Sequence, residues 1–206
     1  VIMRAGIEDY YLFLFVALIP WIFFSTSLTG GAGCILAQQD MVKKIYFPRE
    51  VLPVSFVTGQ FINMLLSFLV IIPVLVVTHR IPDPLAVLSL PVVMLSGYTL
   101  ALGFAMCMSA VTVYLRDMEY VLGILVMAWQ FLTPVMYPVE QVPKEVQWLF
   151  AVNPMRYMIE AYRDILYYGK PPGKGTLPVI AVIGIVALLA GWMLFLRLQR
   201  HFVEEL

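Results

Sequence analysis

Charged residues are scarce in this chain of 206 residues. Only 13% of them are Asp, Glu, Lys or Arg, whereas 62% are hydrophobic. A soluble domain usually has about 25% charged residues, which help to cover its water-facing surface. The composition therefore excludes a soluble globular domain and a disordered chain, and it indicates a protein embedded in a bilayer. The 13 basic residues balance the 13 acidic ones, so the net charge offers no attraction for nucleic acid.

Cysteine and histidine are also rare, with 2 of each. Cys34 and Cys107 both lie in apolar stretches and are predicted to be small packing residues, which excludes a disulfide scaffold. His79 and His201 stand alone in the sequence, so we expect no metal site. Ionisable residues are nearly missing from the apolar runs, which argues against a proton-coupled transporter and against an embedded hydrolase. We therefore predict no catalytic residue and no enzymatic activity in this chain.

A glycine-rich segment at residues 169–176 superficially resembles a phosphate-binding loop. The loop pattern requires four residues between its glycines, and Ser or Thr directly after its lysine. Only three residues separate Gly169 from Gly173, and Gly175 follows Lys174. The segment is therefore predicted to be a turn, and we expect no cofactor to be bound by this chain.

Five apolar runs are long enough to cross a membrane, which takes about 20 residues in a helix. The sequence predicts an all-α integral membrane protein that forms one domain over residues 1–206. The spans are expected at residues 10–36, 51–78, 85–115, 120–137 and 177–196. Basic residues in short connections favour the cytoplasmic side. Lys43, Lys44, Arg49 and Arg116 are therefore predicted to be cytoplasmic, which places the C-terminus there too.

The connection between the fourth and fifth spans contains an amphipathic helix. Asn153 and Pro154 are a favourable N-cap and first-turn pair. Apolar residues then recur at helical spacing, namely Met155, Met158, Ile159, Tyr162, Ile165 and Leu166. The opposite face holds Arg156, Glu160, Arg163 and Asp164. The helix is too charged to span, so we expect it at the outer interface or dipping partly into the membrane, in a hairpin over about residues 143–168.

Small and aromatic residues add two weaker patterns. Gly97, Ala101, Ala105 and Ser109 form a stripe along the third span, which predicts close packing within one subunit or between two subunits. Aromatic residues make up 14% of the chain, and most are expected at membrane interfaces or in packing. Phe24, Trp129 and Tyr137 are candidates for lining a conduit, because their rings offer flat apolar faces to a sugar chain or a lipid tail.

The connection between the first two spans is the most informative stretch. It reads QQDMVKKIYFPREVLP over residues 38–53 and can form a short helix that stops before Pro48. Apolar residues on a short cytoplasmic helix are typical of docking into a groove of a partner protein. A turn lying on the membrane surface is the alternative.

Three ordered stretches resemble type-2 ABC exporter permeases, in the branch that exports O-antigen, capsule or teichoic-acid polysaccharides. Residues 43–53 resemble the cytoplasmic loop of that family. Arg116-Asp117 with WQFLTPVMY at 129–137 resembles its fifth span, and Asn153-Pro154-Met155 with IEAYR at 159–163 resembles its outer gate helices. The family has six spans preceded by an amphipathic helix. This chain therefore resembles a member that lacks that helix and the first span.

The resemblance implies that this chain forms the channel of an ATP-driven exporter. Residues 37–48 would be a coupling helix on a separate ATPase subunit, which would bind the ATP and Mg. Its contact residues would be Asp40, Lys43, Lys44, Tyr46, Phe47 and Arg49. Asn153, Glu160 and Arg163 would belong to the outer gate. Two copies of each subunit would assemble in the bacterial inner membrane and move a glycan linked to an undecaprenyl carrier.

Two alternatives stay open on the sequence alone. One is a type-2 ABC exporter of a drug or a small lipid. The other belongs to a different class, a membrane scaffold protein without transport activity.

Overall fold

The computed structural model describes residues 9–44, 47–78, 82–138, 145, 147–173 and 175–202. Within these residues the chain is helical and contains no strand. Four helices of this part are long and apolar enough to cross a membrane: α1 (Tyr10–Gly33), α3 (Val51–Val77), α4 (Pro84–Tyr114) and α8 (Thr176–Leu198). A further apolar helix, α5 (Met118–Phe131), is shorter. The predicted all-α membrane fold is confirmed.

Three short helices lie in the connections. α2 (Gln39–Lys44) follows a 3₁₀ turn at Leu36–Gln38 and occupies the segment predicted to be the coupling helix. α6 (Gln147–Val152) and α7 (Pro154–Leu166) form the hairpin between α5 and α8. The first residues predicted for that hairpin, 143–144, lie outside the described residues.

The helix of the fourth predicted span, 120–137, ends early. α5 has 14 residues, which rise about 21 Å, against roughly 30 Å for the hydrocarbon core of a bilayer. Pro134 cannot continue a helix and disfavours helical geometry in the residue before it, so α5 stops at Phe131 and the chain turns over residues 132–137. A helix this short leaves its last carbonyls within the membrane thickness, where they need partners from the protein.

α4 is the central helix and packs against α1, α3, α7 and α8. Its pairing with α8 is close because glycines let the two backbones touch. A Cβ added to Gly103 would overlap the backbone of Ala187, and one added to Gly191 would overlap Gly103. Such close approach matters in lipid, where helices associate through van der Waals packing.

The small-residue stripe of α4 faces the interior of the subunit. Ala101, Ala105 and Ser109 are fully buried, and Gly31 of α1 lies directly against Ala105. The stripe therefore packs α4 against α1 within one chain.

The helix bundle has two ends, which we call the α2 end and the α7 end after the short helices that lie there. At the α2 end, the Tyr114 hydroxyl donates to the Leu198 carbonyl at 2.8 Å. At the α7 end, the amide of Asp83, just before α4, donates to the Gly169 carbonyl at 3.0 Å. The segments predicted for coupling and for gating thus lie at opposite ends of the same bundle.

Candidate functional site

Asn153 begins α7, as the sequence predicts. Its backbone is extended, Pro154 occupies the first turn, and its side-chain Oδ1 accepts the Met155 amide at 3.0 Å. This bond satisfies one of the amides that a helix start leaves without a partner.

The same side chain joins α7 to the end of α5. Oδ1 also accepts the indole N–H of Trp129 at 3.1 Å. Nδ2 donates to the Leu132 carbonyl at 2.9 Å and to the Thr133 hydroxyl at 2.8 Å. With two bonds accepted and two donated, the buried amide uses its donors and acceptors fully.

Arg163, ten residues further along α7, binds the turn that follows α5. Nη1 donates to the Pro134 carbonyl at 2.6 Å, and Nη2 donates to the Val135 carbonyl at 2.7 Å. Its guanidinium carbon lies 3.6 Å from the ring centroid of Phe13 on α1. The planar fork of arginine suits this combination of paired carbonyls and an aromatic face.

Arg163 departs from the polar face on which the helical spacing placed it. The side chain is buried, with 4% exposure, whereas Arg156 and Glu160 on the same face are half-exposed. The reason is tertiary, because carbonyls of the turn at residues 132–137, which follows α5, lie within its reach. Asn153 and Arg163 together supply the partners that these carbonyls need inside a membrane.

The contacts that α1 makes with the turn after α5 and with the residue after α7 were not predicted from the sequence. The Tyr10 hydroxyl donates to the Met136 carbonyl at 2.9 Å, and the buried Phe13 ring also contacts Tyr167 edge-on, with centroids 5.4 Å apart. The only signal in the sequence was the aromatic start of the first span. The fold alone determined that Tyr10 binds the Met136 carbonyl and that Phe13 packs against Arg163.

A polar cavity of about 640 Å³ opens beside α7. Arg156 and Glu160 form an ion pair at 2.8 Å on its wall, and Lys170 lies 3.7 Å from Asp164. Burial raises the pKa of the Asp164 carboxyl, and the Lys170 ammonium opposes that shift. The cavity lining also includes Phe13 and Arg163. We call this space the α7 cavity.

The three aromatic residues predicted for a conduit are placed differently from one another. Phe24 is 1% exposed and packs edge-on against Trp129 and Phe104, with centroids 5.3 and 5.9 Å apart. Trp129 and Tyr137 are half-buried. Within the single chain, Phe24 is therefore a core residue, and the lining of a conduit by these rings stays a prediction.

The predicted coupling segment presents its polar residues outward. Asp40, Lys43 and Lys44 are exposed, whereas Val42 is buried with 4% exposure and anchors α2 to the bundle. Phe47 is half-buried. Tyr46, the remaining aromatic residue of the prediction, lies outside the described residues.

Arg49 points back into its own subunit. Its Nη1 donates to the Gln199 carbonyl at 2.5 Å, and its guanidinium carbon lies 6.0 Å from the centroid of Phe202. Phe202 is fully buried and packs edge-on against Phe195 of α8. Arg49 therefore ties the segment after α2 to the last turn of α8.

Comparisons with known proteins cover the whole of this chain. A family model described as "ABC-2 type transporter" matches residues 3–167. The chain is 33% identical over 208 residues to the O-antigen export system permease protein RfbA of Myxococcus xanthus, covering 100% of this chain and 80% of that protein. It is 27% identical over 205 residues to a Klebsiella pneumoniae protein of the same name, covering 100% of this chain and 79% of that protein. This chain, a multi-pass membrane protein, belongs to the ABC-2 type transporter family.

Proposed function

We propose that this chain is the channel-forming subunit of an ATP-driven exporter that moves a lipid-linked polysaccharide across the bacterial inner membrane. The observation that carries the proposal is the similarity along the full chain to permeases named for O-antigen export. The substrate class comes from those relatives. The assignment of a permease without enzymatic activity comes from the family.

The α2 end is proposed to receive a separate ATPase subunit, which binds ATP and Mg. Asp40, Lys43 and Lys44 are exposed there on a short helix that Val42 holds in place. A short exposed helix fixed to a membrane bundle suits docking into a groove of a soluble partner. The ATPase would contact Asp40, Lys43 and Lys44, together with Tyr46 and Phe47.

The α2 end is proposed to face the cytoplasm. Basic residues of three separate regions lie at or near this end, namely Lys43, Lys44, Arg49, Arg116, Arg197 and Arg200. Basic residues in short connections and next to span ends favour the cytoplasmic side. The C-terminus would then be cytoplasmic.

The α7 end is proposed to hold the outer gate, with Asn153 and Arg163 keeping α7 against the end of α5. Two copies of this chain would form the conduit, and two ATPase copies would drive it. Closure of the ATPase pair on ATP would shift the permease between two arrangements. Opening at the α7 end would then require the bonds of Asn153 and Arg163 to the α5 turn to rearrange.

A capture experiment with charge reversal tests the ATPase contact. The protein is purified in mild detergent, and bound proteins are identified and counted. We expect an equimolar ATPase with the wild-type chain and much less with Lys43→Glu/Lys44→Glu. Lys170→Glu, a single reversal at the opposite end, is the control and should retain the ATPase. Equal capture by the double variant would refute the placement of the contact at α2.

Export is tested in a strain whose own permease gene has been deleted. The wild-type protein with its ATPase should restore polysaccharide on the cell surface. A folded complex that hydrolyses ATP but leaves the surface bare would favour export of a drug or a small lipid. A folded, inserted protein that captures no ATPase would favour a scaffold.

A further inference from the structure

The α7 cavity has the size of a binding site, and part of its lining is held firmly in place. Its volume of about 640 Å³ lies within the range of roughly 300–1,000 Å³ that is usual for sites of small molecules. Two of its lining residues are held in place, because Arg163 is fixed by two carbonyls and by the ring of Phe13. A ligand would therefore meet a wall that does not have to be ordered first.

The cavity lining has three basic side chains, Arg156, Arg163 and Lys170, and two acidic ones, but each basic side chain already has a partner. Arg156 is paired with Glu160 at 2.8 Å, and Lys170 lies 3.7 Å from Asp164. An anion entering here would meet two carboxylates, and a cation would meet the basic side chains. The lining instead offers donors and acceptors side by side, with the amide of Gln147 in addition. This pattern suits a neutral ligand whose groups both donate and accept, as hydroxyl groups do.

Tyr168 adds an aromatic surface to the same cavity. The residue is 54% exposed, and its ring is held by Tyr167, which contacts it edge-on with centroids 4.9 Å apart. The Lys170 ammonium lies 5.0 Å from the ring centroid. An exposed ring with a polar tip can take up the C–H face of a sugar while planar polar groups bind its hydroxyls.

We propose that the α7 cavity binds sugar residues of the exported chain where that chain leaves the membrane. Glu160, Gln147 and Asp164 bind the hydroxyls, and Tyr168 stacks on the ring. This inference rests on the proposed function, which supplies a glycan as substrate, and it adds a defined subsite at the α7 end.

Binding of free oligosaccharide tests the subsite without transport. The probe is a set of short oligosaccharides cut from the surface polysaccharide of the producing strain and freed of lipid. Titration into the full-length complex in nanodiscs gives Kd. We expect Tyr168→Ala and Gln147→Ala each to raise Kd by about fivefold or more, since each removes one stacking or hydrogen-bonding partner. Tyr120→Ala is the matched control, because Tyr120 is 78% exposed near the α2 end, and its Kd should be unchanged.

The outcomes separate this inference from the proposed function. A wild-type protein that restores surface polysaccharide in cells but binds no oligosaccharide, or binds it equally well in both cavity variants, overturns the subsite alone. Displacement of the oligosaccharide by excess inorganic phosphate also overturns it, because the cavity would then select an anion. Failure to restore surface polysaccharide counts against the proposed function. Thermal unfolding checks that Tyr168→Ala and Gln147→Ala remain folded. If only one of these variants folds, its Kd alone is compared with that of the wild type.

Discussion

The indole N–H of Trp129 on α5 donates to the side-chain oxygen of Asn153, which caps α7, at 3.1 Å. One buried side-chain amide thus serves both the start of α7 and the end of α5, a helix too short to cross the bilayer. The relationship makes the two elements one unit, so that α7 does not leave its place without exposing polar groups of α5.

Asn153→Ala should loosen the α7 end. The change removes the cap and leaves the indole of Trp129 and the Leu132 carbonyl without their partner. A lost cap costs about 1 kcal/mol and each of the two unsatisfied groups about 1–3 kcal/mol, so we expect the free energy of unfolding to fall by about 3 kcal/mol or more. Chemical unfolding in mixed detergent measures it. Asn63→Ala on the exposed face of α3 is the control, and an equal effect of the two variants would contradict the role of Asn153.

Arg163→Lys should behave as a damaging change although it keeps the charge. Lysine cannot reach the Pro134 and Val135 carbonyls with two parallel donors while stacking on Phe13. We expect a loss of about 2 kcal/mol, the size of a hydrogen bond to a charged group. Limited proteolysis of the segment after α5 should also become faster. A lysine variant as stable and as resistant as the wild type would show that charge alone suffices.

Gly103→Ala should separate α4 from α8. Its new Cβ would overlap the backbone of Ala187, so the helices must move apart, which costs about 1–3 kcal/mol by analogy with overpacked cores. Gly123→Ala on α5 is the control, because a Cβ there meets nothing within 4 Å. The control should be neutral or stabilising by up to about 1 kcal/mol, since alanine favours a helix. Unfolding midpoints of the two variants decide the matter, and similar values would argue against tight packing at Gly103.

Arg49→Gln should uncouple rather than detach the ATPase. Arg49 binds the Gln199 carbonyl at the end of α8, so its loss lets the segment after α2 move independently of that helix. Capture of the ATPase should stay near the wild-type level, while export per ATP hydrolysed falls. The measurement compares ATP hydrolysis with surface polysaccharide in the same strain. Loss of ATPase binding as complete as in Lys43→Glu/Lys44→Glu would instead make Arg49 a direct contact.

The spans and the two connecting elements could be read from the sequence because they depend on local properties. Apolar runs of sufficient length are helices in a bilayer whatever they pack against. Asn153-Pro154 marks the start of α7 through its own backbone preferences, and the structure confirms the cap. The early end of α5 had a local cause too, Pro134, although hydropathy alone favoured a longer span.

Tertiary structure alone decided what the polar side chains do. Helical spacing put Arg163 on a solvated face together with Arg156 and Glu160, yet the carbonyls of the α5 turn and the ring of Phe13 draw it inside. Arg49, predicted to contact a partner, donates to the Gln199 carbonyl at the end of α8 in its own chain. The sequence by itself determined the membrane fold, since hydrophobicity and helix signals act over a few neighbouring residues. The tertiary structure determined the contacts that join α1, the turn after α5, and α7. Their residues are up to 150 positions apart in the sequence and meet only when the helices pack.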